Sequence, residues 1–94
     1  MDKKEARQII STELESFRDK PYYELVQMIN AEPITGERTS PSGKLYQIEI
    51  QVFWDDKPKG NIRVSGSIDD GGLRAFFPLT EDFIKSPLNG FVGE

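Results

Sequence analysis

The hydrophobic pattern of this chain changes period once, near Ala31, and that change restricts the fold more than any other feature. Before it, apolar residues recur at helical spacing. After it, they alternate. A chain that is helical first and extended afterwards predicts an α+β protein with its helices segregated from an antiparallel sheet.

The helical part divides in two. Ala6, Ile9, Ile10, Leu14 and Phe17 form one apolar stripe. Asp2 and Glu5 have the spacing of a capping box at its start. Pro21 ends this helix or opens a second one, carried by Tyr22, Leu25, Val26 and Ile29. Asn30 closes the second helix, because asparagine tolerates the left-handed conformation. Of Tyr22 and Tyr23, helical spacing lets only one face the core.

The extended part begins with an irregular edge strand over 32–39, marked by Pro33, which cannot donate to a ladder. Ser40-Pro41-Ser42-Gly43 reads as a tight turn. Tyr46, Ile48, Ile50, Val52 and Trp54 then alternate with Gln47, Glu49, Gln51 and Phe53, giving a strand with one buried face. A polar loop runs from Asp55 to Gly60. Ile62, Val64 and Ile68 alternate next, and Gly66 interrupts their face where a helix approaches closely.

Asp70-Gly71 is a strong two-residue hairpin signal. It sets Ile68 opposite Leu73, Gly66 opposite Ala75 and Val64 opposite Phe77. Pro78 then ends the last strand, Thr80 caps a helical turn through Phe83 and Ile84, and Pro87 stops it. The expected architecture is two N-terminal helices packed on one face of a three- to four-stranded antiparallel meander, followed by a short C-terminal helical turn. Ninety-four residues suit one domain, 1–94. It comprises a helical pair over 1–30, a sheet over 32–78, and a turn with its tail over 79–94.

Composition removes function classes. Cysteine and histidine are both absent, which excludes disulfides, thiolate chemistry, zinc–thiolate sites and imidazole as base or ligand. Net charge is −4, so no overall basic footprint for nucleic acid exists. No apolar run reaches the length of a membrane span, and the charged start at Met1-Asp2-Lys3-Lys4-Glu5 is not a signal core. The expectation is a cytoplasmic protein without membrane or nucleic-acid partners and without a cofactor.

Candidate chemistry is sparse. Asp55-Asp56 and Asp69-Asp70 offer oxygen ligands for a cation. They flank one strand at opposite ends, ~25 Å apart at ~3.3 Å per residue, so they cannot share an ion, and turn chemistry accounts for both. Gly66 and Gly71-Gly72 do not lead into a helix, as a phosphate loop requires. A lysine base such as Lys44 or Lys57 is possible in principle, though neither has a context that singles it out, and a carboxylate pair acting as acid and base stays open. The chain therefore reads as a non-enzyme.

The remaining candidate is the outer sheet face. With Trp54 opposite Ile62, the expected rows are Gln51-Ser65-Phe76 and Glu49-Ser67-Arg74, with Phe53 and Arg63 beyond. Aromatic residues and arginine favour interface centres. Glu49, Gln51, Arg63, Arg74 and Phe76 are thus the expected partner-binding residues of a protein-binding module, of inhibitor or immunity type. The plainer reading is a solvated face with Glu49 and Arg74 as a cross-strand pair, or one in which Phe91 of the tail covers Phe53 and Phe76. Two alternatives stand beside it: a cation- or small-ligand-binding enzyme subunit using the aspartate loops, and a homodimer formed through the edge strand.

The stretches 42–50, Phe53-Trp54-Asp55-Asp56 and 68–76 resemble a group of small bacterial proteins known only as hypothetical proteins. The resemblance covers roughly the C-terminal half. It implies a bacterial origin, with cyanobacteria as one option, and brings no activity, cofactor or site residue. Leu73 stands where such proteins carry tryptophan.

Overall fold

The computed structural model describes residues 1–72 and 77–94. These form two helices, α1 (Lys3–Arg18) and α2 (Tyr22–Met28), and four strands. The strands are β1 (Ile34–Thr39), β2 (Leu45–Trp54), β3 (Ile62–Asp69) and β4 (Leu79–Lys85). They make one antiparallel sheet in the order β1-β2-β3-β4. The fold is α+β.

The N-terminal half follows its sequence signals. Asp2 caps α1 by accepting from Glu5 N at 3.1 Å. Only half of the capping box forms, because the Glu5 carboxylate turns to the sheet. It accepts from Tyr46 Oη at 3.0 Å and from Ser42 Oγ. Ala6, Ile10, Leu14 and Phe17 are the buried residues of α1. Asn30 adopts φ 66°, the left-handed value expected after α2. Tyr22 packs on the core and donates to the Gly60 carbonyl at 2.8 Å, while Tyr23 is exposed. Gly43 N donates to Ser40 O at 2.8 Å, closing the predicted turn.

Two apolar clusters share the inner sheet face. Leu14, Phe17 and Leu25 pack with Ile50, Ile62, Val64 and Phe83, with Trp54 half-buried at the rim. Ala6 and Ile10 pack with Tyr46, Ile48 and Ile68. Gly66 lies where α1 comes closest. A Cβ there would stand 2.9 Å from Ile10 Cδ1 and 3.3 Å from Leu14 Cδ2. The glycine makes room for that approach.

The C-terminal region departs from expectation. β3 pairs with 79–85, and the expected pairing of Val64 with Phe77 does not form. Ile68 faces Leu79, Gly66 faces Glu81 and Val64 faces Phe83. The expected partners Leu73 and Ala75 lie outside the described residues, and Phe77 belongs to no strand. Residues 79–85 are a strand and not a capped helical turn, so Pro78 precedes the last strand instead of ending it.

The physical reason lies in the inward positions of β4, which alternate apolar and charged. Glu81 accepts from Ser11 Oγ and Arg7 Nη1 on α1. Lys85 is 5% exposed, and its Nζ donates to the carbonyls of Arg18 at 2.7 Å and Lys20 at 2.6 Å. Those carbonyls at the end of α1 would otherwise lack partners, and an ammonium is favoured at a helix C-terminus. Burial lowers the Lys85 pKa from its ordinary value, with Asp19 acting against that shift. Two charges on the core-facing side conceal the strand period, and Thr80-Glu81-Asp82 imitates a helix start.

The tail also runs differently. Phe91 bridges to Lys85, and Val92 N donates to Ile84 O at 2.9 Å, along the free side of β4. The Phe91 ring meets Phe83 edge-on at 5.9 Å and lies 4.1 Å from the Arg18 guanidinium carbon. It therefore packs on the helix side and not over Phe53.

Two outcomes are expected. Gly66→Ala should destabilise by about 1–3 kcal/mol in denaturant unfolding, because the added methyl would force the fully buried Ile10 to shift. Tyr46 is also fully buried. Burial, and then its hydrogen bond to Glu5, pushes its hydroxyl from 10.0 up to about 12. The folded state favours the neutral phenol, so this contribution is intact below pH 10 and lost as pH rises from 10 towards 12. The stability advantage of the native protein over Tyr46→Phe should shrink across that window and stay constant below it.

Candidate functional site

The side chains that alternate with the core line the outer face of the sheet. One row is Thr35, Glu49, Ser67 and Thr80. The next is Gln51, Ser65 and Asp82, followed by Phe53, Arg63 and Ile84. On the other side lie Glu37, Gln47 and Asp69. The predicted β2–β3 register, Trp54 opposite Ile62, is the observed one. The third-strand positions expected for Phe76 and Arg74 are held by Asp82 and Thr80. Arg74 and Phe76 themselves lie outside the described residues.

Glu49, Gln51 and Arg63 do share this face. Gln51 Nε2 donates to Glu49 Oε1 at 2.8 Å. Glu49 thus pairs along its own strand, and the expected cross-strand partner Arg74 lies outside the described residues. Arg63 Nε donates to Asp55 Oδ1 at 2.8 Å, and Nη1 donates to Asp82 Oδ2 at 2.5 Å. Those bonds, to Asp55 first and then Asp82, raise the guanidinium pKa further. Gln47 Nε2 donates to Glu37 Oε1 at 3.1 Å.

The face is acidic. Among the described outer-face residues, the carboxylates of Glu37, Glu49, Asp55, Asp69 and Asp82 outnumber the single guanidinium of Arg63, which Asp55 and Asp82 hold. Arg63 is half-buried and already shared between two of them. The remaining positions carry hydroxyls and amides together with the apolar Leu45, Phe53 and Ile84, of which Phe53 is 39% exposed. A surface of fixed carboxylates and adaptable donors can meet cationic groups and hydrogen-bonding backbone.

Sequence reasoning missed Thr80 and Asp82, because it assigned 79–84 to a helical turn. Alternation of Leu79, Glu81, Phe83 and Lys85 against Thr80, Asp82 and Ile84 was the available signal.

The aspartate loops are structural in their contacts. Asp56 Oδ1 accepts from Lys57 N at 2.8 Å and Asn61 N at 3.1 Å. Asp69 Oδ1 accepts from Gly71 N at 2.9 Å, and Asp70 lies 3.5 Å from the N-terminal ammonium. No group of three or more His, Cys, Asp or Glu among the described residues is placed to hold a metal ion. A groove of about 450 Å³ between α1 and β1 is walled by Glu5, Glu13 and Arg38. Glu5 is bound to Ser42 and Tyr46, and Glu13 to Arg38.

No helix among the described residues is long and apolar enough to cross a membrane. No family model matches the chain, and no curated protein or solved structure matches it either.

Asp56→Ala should destabilise by about 1 kcal/mol through its two lost backbone bonds. Calcium, magnesium and manganese should each leave the melting temperatures of native protein and variant unchanged. A metal-dependent rise that the substitution abolishes would reassign this loop as a cation site.

Proposed function

We propose that this chain is a non-catalytic protein-binding module that presents its acidic outer sheet face to a basic partner, in the manner of an inhibitor or immunity-type protein. The observation that carries the reading is the charge of that face. Among the described residues of that face, Glu37, Glu49, Asp55, Asp69 and Asp82 are set against one arginine, whose charge Asp55 and Asp82 already neutralise.

Packing and composition support it. α1 and α2 bury the opposite face, so the outer face is the broad sheet surface left to meet a partner. Gln51, Ser65, Ser67 and Thr80 supply neutral hydrogen-bonding groups, and Phe53 supplies an exposed aromatic anchor. Chain charge of −4 favours encounter with a cationic surface. Imidazole and thiol are absent, and the aspartates are engaged with backbone N–H groups, a terminal ammonium and Arg63.

The test is a native pull-down with the intact protein and a Glu37→Lys, Glu49→Lys variant as paired baits, at low and high salt. The expected result is a stoichiometric basic partner held by the intact bait at low salt, released by high salt and lost on charge reversal. A partner retained equally by both baits would remove the outer face from the interface. Capture of acidic partners by the intact bait would overturn the charge argument.

A further inference from the structure

β1 is shorter than the strand it pairs with, and that mismatch leaves a second recognition surface. The β1–β2 register ends at Ile34 opposite Ile50. β2 continues to Trp54, paired on its other side with β3 through Trp54 opposite Ile62. Backbone groups alternate in direction along a strand, so within 51–54 alternate residues direct N–H and C=O towards the side that β1 has left. No backbone hydrogen bond from the α2–β1 connection reaches these residues. The chain turns away after Asn30, at φ 66°, and Pro33 has no N–H to offer.

A groove of about 670 Å³ occupies the vacated side. Four consecutive residues of β2, Ile50 to Phe53, line it. Successive side chains point to opposite faces, so only a surface met along the strand edge is lined by all four. Its apolar wall includes Met28, Pro33, Ile34 and Val52, and Glu32 is the one ionisable group on it. The amides of Gln27, Asn30 and Gln51 are the other polar side chains that line it. An extended chain would find ladder groups on one side and apolar wall on the other.

We infer that this groove is a strand-addition site, which accepts an extended peptide segment of a partner protein in line with β1. Main-chain bonds to β2 supply affinity, and alternate apolar side chains fill the wall. Charge complementarity defines the flank. Glu32 lines the groove and calls for a lysine or arginine at the segment's end. The site shares Gln51 and Phe53 with the outer face but is met along the strand edge, and it stands whether or not that face binds a partner.

The test is an amide NMR titration of the full ¹⁵N-labelled chain with a capped synthetic peptide, Lys-Lys-Val-Thr-Val-Thr-Val. Three comparisons accompany it: the same peptide N-methylated at alternate amides, the peptide with glutamates replacing its lysines, and variants of the protein. The expected result is saturable shifts centred on the amides of 51–54 and Ile34, abolished by N-methylation. Glu32→Lys, or the glutamate peptide, should weaken binding about threefold, as an exposed charge pair does. Ala31→Trp, at an exposed lining position, should weaken it at least about tenfold by filling the groove. Glu37→Lys on the outer face should leave it unchanged. Absence of saturable shifts, shifts centred elsewhere, or equal binding of the N-methylated peptide would overturn the proposal. If Ala31→Trp disturbs the fold, its own amide spectrum will show it, and Glu32→Lys with the two altered peptides still decides the question.

Discussion

The close seating of α1 on the sheet at Gly66 is the constraint from which the rest of the molecule follows. A Cβ at that position would crowd Ile10 and Leu14 and force them to shift. With the helix that near, Ile10 and Ala6 reach one cluster while Leu14 and Phe17 reach the other. β4 then holds the helix from beneath. Glu81 grips its middle through Ser11 and Arg7, and Lys85 satisfies carbonyls at its end. Inward charges on an edge strand also discourage pairing with foreign strands. The same residues thus fix the helix and protect the sheet.

That arrangement divides the functional surfaces. Because the helices cover one face, the polar residues of β1 to β4 converge on the other. The two sheet edges are treated differently. The tail lies along β4 through Phe91 and Val92, where Arg18 and Lys85 both approach the Phe91 ring. At the opposite edge β1 covers only part of β2, and the uncovered part is flanked by apolar residues of α2 and its connection. One edge is closed by the chain itself, and the other is left partly open.

Much of this was legible in the residues. The stripe of α1, the left-handed Asn30, the turn at Ser40 and the alternation of β2 and β3 are local signals, and each formed where the pattern placed it. Gly66 was legible as a point of close approach because it breaks an otherwise apolar face. β4 was not legible, since Glu81 and Lys85 occupy core-facing positions for reasons held in α1, far away in sequence. The Asp-Gly pair pointed to a tight hairpin, but β3 takes its partner from 79–85 instead. That misreading carried into the site: Glu49, Gln51 and Arg63 were placed correctly on one face, whereas Asp82 and Thr80, their neighbours on β4, were not foreseen.

The central claim is that the face opposite α1 is open and negatively polarised. Solvent paramagnetic relaxation measures both properties together, using soluble spin probes of opposite charge on the isotope-labelled protein. The account predicts strong broadening of Glu49, Gln51, Ser65 and Thr80 signals, greater with the cationic probe than with the anionic one, and little effect of either on Ile10, Ile50 and Val64. Equal protection of the two faces, or no preference between the probes on the outer one, would contradict it.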